Sequence, residues 1–302
     1  DIVCNQISFN GGNPSFALGT RKLTLRGSAA TSMPLVLTGG VLNMGTGTIE
    51  YDMTGSSFDF DITPATYYNL NLITLTGRKI WGGTAAAQTI TVTNDLTITG
   101  NGTFDNNTGG NTDAILDVDG NFTISSGTFL SSSSSAFTVG GNFSNSGTFT
   151  HNSGTVTFDY VSKTSNITTT GNLTFNNFTC VIPNKTLQFQ THSGGIPQIT
   201  FAGTLTITGT SGNLINIYST SSGVQWKANT SAAQNFVTYA NIRDAGCHTG
   251  SSDFNTANSN SVSNNDICWK FGASYSGIVY TDEGTTAMGS GRTVRIKVNG
   301  AG

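Results

Sequence analysis

Charge is scarce in this 302-residue chain: Asp, Glu, Lys and Arg together make up 10% of it, and the formal net charge is −3. No basic cluster exceeds Arg21-Lys22 or the stretch Arg292–Lys297. A nucleic-acid partner needs a basic stripe against its phosphates, so none is expected. No run of about 18 apolar residues occurs, and no membrane span is expected. Runs of Ala, Leu, Glu, Lys and Arg are missing, which argues against long helices. Histidine is rare: His151, His192 and His248 lie far apart, with no Cys or carboxylate at metal-ligand spacing. No Gly-x-Ser-x-Gly elbow or phosphate loop is present. A start Met is also missing. The chain opens Asp1-Ile2-Val3-Cys4, which suggests a mature form or a piece of a longer protein.

What is present is strand and turn material. Gly, Ser, Thr and Asn crowd every segment, while 36% of the chain is apolar and 18 residues are Phe. A disordered chain has more charge and fewer aromatic and β-branched residues, so a packed core is expected. Thr, Val, Ile and Phe favour strands, and Gly, Asn and Ser favour turns. The length alone allows one to three domains.

A short phrase recurs. Gly120-Asn121-Phe122-Thr123 is followed by Gly127-Thr128-Phe129, and Gly141-Asn142-Phe143-Ser144 by Gly147-Thr148-Phe149. Upstream, Asn94-Asp95-Leu96-Thr97-Ile98 precedes Gly102-Thr103-Phe104, and Gly171-Asn172-Leu173-Thr174 follows downstream. A degenerate strand-turn-strand unit of roughly 20–30 residues is a solenoid signature. A longer phrase also returns: Gly47–Asp52 leads to Tyr67–Leu72 much as Gly154–Asp159 leads to Phe175–Cys180, which suggests internal duplication. Alternating runs such as Lys22–Leu25, Leu70–Leu75 and Leu205–Thr208 are short, and hairpin dipeptides are few, so coil faces fit better than sandwich hairpins.

The predicted fold is all-β, a right-handed parallel β-helix (β-solenoid) with a C-terminal β-hairpin or strand element. Residues 1–240 would form coils, 241–271 a terminal coil and capping loop, and 272–302 a strand element able to dock onto a neighbouring subunit. Asn121, Asn142 and Asn172 at successive turns would either stack as amide ladders or accept left-handed turns. Cys247 and Cys268 flank a polar loop, and a disulfide there would contribute about 3 kcal/mol. Cys4 and Cys180 are expected as free buried thiols stacked in the core. Low charge and few Lys suit an exported protein.

The phrases Gly141–Phe149, Gly154–Phe158, Ala65–Leu70 and Gly209–Ile215, with Gln225-Trp226-Lys227 close behind, resemble bacterial secreted and surface parallel β-helix repeat proteins, adhesin-like or filamentous-haemagglutinin-like. The closing Asn264-Asn265…Trp269-Lys270-Phe271 is similar to the end of such a domain. Gly277–Gly300 is similar to the opening strands of a following β-sandwich module. The resemblance implies export, a cell-surface or extracellular setting and membership of a longer modular chain. It carries over no catalytic residue.

Candidate chemistry is thin. Asp117 and Asp119, with Asp113 nearby, look like a fragment of a calcium loop, but the remaining ligands are missing. Asp59 and Asp61 alternate with Phe58, Phe60 and Ile62, which fits a wet face opposite a core face, or a carboxylate pair of the kind glycosidases use. Tyr67, Tyr68, Trp81 and Trp226 could stack on sugars, although packing accounts for most of them. The sequons at Asn121, Asn142, Asn172 and Asn177 leave glycosylation open. No cofactor or catalytic constellation is expected. The functional expectation is a structural subunit or segment of an extracellular filament or cell-surface adhesin. It would associate with itself end to end through Ile278, Val279, Tyr280, Val294, Ile296 and Val298, and host or surface carbohydrate is a further candidate partner. The alternatives are a polysaccharide-binding or polysaccharide-cleaving β-helix protein, or a phage tail-fibre segment.

Overall fold

The computed structural model describes residues 1–11, 15–27, 33–82, 88–107, 113–161, 164–195 and 198–271. The chain divides into two compact units, Asp1–Gly272 and Ala273–Gly302. The expected C-terminal strands, with Ile278, Val279, Tyr280, Val294, Ile296 and Val298, lie outside the described residues.

The unit Asp1–Gly272 is a β-solenoid with no helix among its described residues. One sheet holds twelve strands, from Ile2–Cys4 to Asn260–Ser263, and a second holds ten, from Thr66–Tyr67 to Trp269–Phe271. A third side is built in pieces. A five-stranded sheet runs from Phe60–Asp61 to Thr148–Thr150, and a four-stranded sheet from Leu173–Phe175 to Ala245–Cys247. Near the N-terminus two strand pairs stand apart, Ile7–Asn10 with Leu35–Thr38 and Ser15–Ala17 with Val41–Asn43. The ladders between coils are parallel. Twelve strands at the usual spacing give a stack on the order of 50 Å along its axis.

The repeated phrase sets the register. Leu96, Phe122 and Phe143 pair in succession on the twelve-stranded sheet. Phe104, Phe129 and Phe149 do the same on the third side. Their rings form a spine through the core: Phe122 lies 5.0 Å from Phe129, 4.9 Å from Phe137 and 5.2 Å from Phe143, centroid to centroid. Alternation supplies these inward residues. In Asn69–Thr74, Leu70 and Leu72 are buried while Asn69 and Asn71 face outward and are half-buried. Burying a Phe contributes about 1.5–3 kcal/mol, so a row of them dominates stability. The phrase's glycines have a steric cause. A Cβ on Gly120 would collide with the Asn94 carbonyl of the coil below, and one on Gly147 would lie 2.5 Å from the Gly127 carbonyl.

The recurring phrases do not fix the side of the solenoid. Gly171-Asn172-Leu173 repeats the phrase but not its place: Leu173 pairs with Ile199 on the third side. The longer repeat likewise recurs on another sheet, with Thr48–Asp52 on the twelve-stranded sheet and Thr155–Thr157 on the ten-stranded one. What recurs is a stacked pair of strands. Asn69 Nδ2 donates to Thr48 Oγ1 at 3.3 Å, and Asn177 Nδ2 donates to Thr155 Oγ1 at 3.3 Å. The phrase encodes how one coil sits on the next, so it can appear on any side.

Asn side chains stack at one corner. Asn94 Nδ2 donates to Asn69 Oδ1 at 2.8 Å, and Asn121 Nδ2 donates to Asp95 Oδ1 at 2.8 Å. The Asn142 N–H then donates to Asn121 Oδ1 at 2.9 Å, and the Asn166 N–H to Asn142 Oδ1 at 2.8 Å. Left-handed backbone occurs at other asparagines, Asn152, Asn184, Asn258 and Asn264. Asn172 serves a different corner, accepting from the Gln198 N–H at 3.0 Å.

Candidate functional site

The acidic candidates stand apart from one another in role. Asp117 lies on the ten-stranded sheet, where its Oδ1 accepts from Thr138 Oγ1 at 2.7 Å. Asp159 approaches from a later coil. Burial raises its pKa, and the charges of Asp117 and Asp119 add to the rise. Among the described residues no group of three His, Cys, Asp or Glu is placed to hold a metal ion. Nearby, the buried Lys185 donates to the carbonyls of Gly140 at 3.1 Å and Tyr160 at 3.0 Å, tying its own coil to two others.

Asp59 and Asp61 do not share a wet face. Asp59 Oδ1 accepts from the Lys79 N–H at 3.0 Å, whereas Asp61 is buried. Phe58, expected inside, is 40% exposed, while Phe60 and Ile62 are fully buried. The cause is a turn stapled by the Ser56 N–H donating to the Met53 carbonyl and the Phe58 N–H donating to Ser56 Oγ. That turn breaks the alternation before the strand Phe60–Asp61 begins. Tyr67 and Trp226 are buried and cannot offer a face to a ligand, whereas Trp81 is half-buried beneath Lys79 Nζ at 4.7 Å.

Cys247 and Cys268 lie side by side, with Cα atoms 6.5 Å apart, within the span of a disulfide. Beside them Asp266 accepts from Lys227 Nζ at 2.8 Å, from the Cys247 N–H at 2.8 Å and from Gln225 Nε2 at 2.9 Å. Burial pushes the Asp266 carboxyl up, but these donors together outweigh it and hold the pKa below the ordinary carboxylate value. Cys4 and Cys180 are free, and they do not stack on each other. Cys4 sits half-buried in the edge strand Ile2–Cys4, whereas Cys180 is buried in the strand Asn177–Cys180 of the ten-stranded sheet, where burial pushes its thiol up to about 11.

Grooves open where ladders are interrupted. One of about 400 Å³ lies where the pair ending at Val41–Asn43 stops and the ten-stranded sheet begins at Thr66–Tyr67. Another, of about 460 Å³, lies beside the gap between Thr148–Thr150 and Leu173–Phe175 on the third side. Ser144, Asn145, Thr168, Thr170, Gln190 and Thr191 line it, and no lining residue is charged. Thr168 Oγ1 donates to Ser144 Oγ at 3.1 Å, and the Thr169 N–H donates to Gln190 Oε1 at 2.7 Å. None of these residues was singled out as a site from sequence. The legible signal was a change of slot: Phe122-Thr123-Ile124 becomes Phe143-Ser144-Asn145 in the next coil.

Comparison with known family models, with curated proteins and with solved structures returned no match.

Proposed function

We propose that this chain is a structural segment of an extracellular filament or cell-surface adhesin, joined end to end with further copies. The observation that carries this reading is the pair of parallel sheets, twelve and ten strands long, whose outermost strands pair on one side only among the described residues. At one end Ile2 and Val3 are 41% and 56% exposed, and at the other all four residues of Asn260–Ser263 are exposed. An outward row of side chains runs to that second edge: Asn216 Nδ2 donates to Thr186 Oγ1, Asn241 Nδ2 to Asn216 Oδ1 and Asn260 Nδ2 to Asn241 Oδ1. Open edges of this kind accept added strands, and head-to-tail contacts that do not close on themselves generate filaments. The strands expected in 273–302 would dock on the neighbour's edge. The test is negative-stain microscopy and sedimentation of the full chain against a version ending at Gly272. Loss of association on truncation supports the mechanism. Filaments that persist without 273–302 would sink it.

A further inference from the structure

One inward column of the twelve-stranded sheet changes character at the groove beside the third-side gap. Leu72, Ile98 and Ile124 stack in register, and the next two residues in the same column are Asn145 and Thr169. Asn145 is only 5% exposed, and its Oδ1 is buried without a hydrogen-bond partner. Its own backbone carbonyl is engaged, accepting from the Thr170 N–H at 3.0 Å. Leaving a buried amide oxygen unmatched costs about 1–3 kcal/mol. Ile98 and Ile124 show that an apolar side chain fills this column, so packing does not require an amide at 145. Unmatched buried polar groups are rare enough in folded proteins to call for a cause.

The groove around Asn145 supplies one. Its walls are hydroxyls and amides from three successive coils: Ser144 with Asn145, Thr168 with Thr170, and Gln190 with Thr191. Gln190 uses its Oε1 on the Thr169 N–H, which fixes the side chain and aims its amide nitrogen away from that bond. With no charge in the lining, an ion would lose its hydration without compensation. A ligand that carries neutral hydroxyls on an apolar ring matches walls in which hydroxyls and amides alternate with exposed carbon, and about 460 Å³ lies within the range of small-molecule sites. We propose that this groove binds a neutral sugar unit of a glycan, with Asn145 and Gln190 as its hydrogen-bonding anchors. A half-turn about the terminal torsion of Asn145 presents either end of the amide to the ligand.

The test is titration of the ¹⁵N-labelled full chain with maltose, cellobiose and N,N′-diacetylchitobiose, with digalacturonate and tetraglycine as the acidic-sugar and peptide comparisons. At least one neutral disaccharide is expected to shift the amides of Ser144, Asn145, Thr168, Thr169 and Gln190, with a millimolar or tighter Kd. Asn145→Ile, which restores the apolar column, and Gln190→Ala, which keeps that column but also frees the Thr169 N–H, should each weaken binding about tenfold. Thr206→Ala, on the ten-stranded sheet, should leave it unchanged. The proposal is overturned if no neutral sugar shifts these amides, if digalacturonate or tetraglycine binds as well, or if Gln190→Ala binds as the unaltered chain does. The measurement is independent of self-association, so its failure leaves the end-to-end reading standing.

Discussion

Asn121 offers a sharp perturbation, because two explanations of the same residue predict opposite results. If asparagine is there to tolerate a left-handed turn, glycine replaces it without loss. Asn121 is not among the residues with positive φ, and its side chain instead links two coils. It donates to Asp95 Oδ1 at 2.8 Å and accepts from the Asn142 N–H at 2.9 Å. The first bond goes to a carboxylate, which is worth about 1.5–3 kcal/mol, and the second about 1 kcal/mol. Both are part-buried, and solvent replaces some of what is lost. Asn121→Gly and Asn121→Ala should therefore each destabilise by about 2–3 kcal/mol. Asn121→Asp keeps the acceptor for Asn142 but sets a second carboxylate against Asp95. It should be the worst of the three at neutral pH and should recover as pH falls and the introduced carboxyl takes up a proton. Guanidinium titrations followed by circular dichroism give the midpoint shifts. An Asn121→Gly protein within about 0.5 kcal/mol of the unaltered chain would refute the ladder.

Other perturbations follow from the same stacking. Phe122→Ala removes a fully buried ring from contact with three others and should cost about 3–5 kcal/mol, with hydrogen exchange accelerating first in the flanking coils. We propose that the Cys247–Cys268 link is a stabilising disulfide. Intact-mass analysis should then show two hydrogens gained on reduction, and Cys268→Ser should lose about 3 kcal/mol for a separation of 21 residues. Asp266 has a folded pKa below its unfolded value, so its stabilising effect is present above the unfolded value and is lost as pH falls through the folded one. Acid should accordingly loosen the last coil, read as faster exchange around Ala245–Cys247, and Asp266→Asn should flatten that dependence.

The fold was legible because its rule is local. A Gly that must admit the coil below, an Asn that bonds to the next coil, and a Phe beside a Thr or Ser recur at Gly120–Thr123 and Gly141–Ser144. Phe122 and Phe143 could be paired from sequence by matching those neighbours, and they are paired in the structure. The side of the solenoid was not legible. Gly171-Asn172-Leu173 has the same neighbours yet lies on the third side, because Leu173 comes 30 residues after Phe143 whereas the coil closes after 24, at Ile167, so the phrase arrives six residues late. Buried charge was equally hidden. Glu50 pairs with Lys22 at 2.8 Å and Asp105 with Lys79 at 2.7 Å, partners on neighbouring coils that are set by register alone. The groove around Asn145 was half legible. The change from Ile124 to Asn145 is plain in the repeat, but the gap in the third side that opens the groove depends on how far the chain travels between strands.

The end-to-end account puts every strand across the filament axis, so the spacing between coils must run along it. Electron diffraction or cryo-electron micrographs of filaments grown from the full chain should show a meridional layer line at about 4.8 Å, continuous from one subunit into the next. A 4.8 Å reflection on the equator, or an assembly in which the solenoids lie side by side, would contradict it.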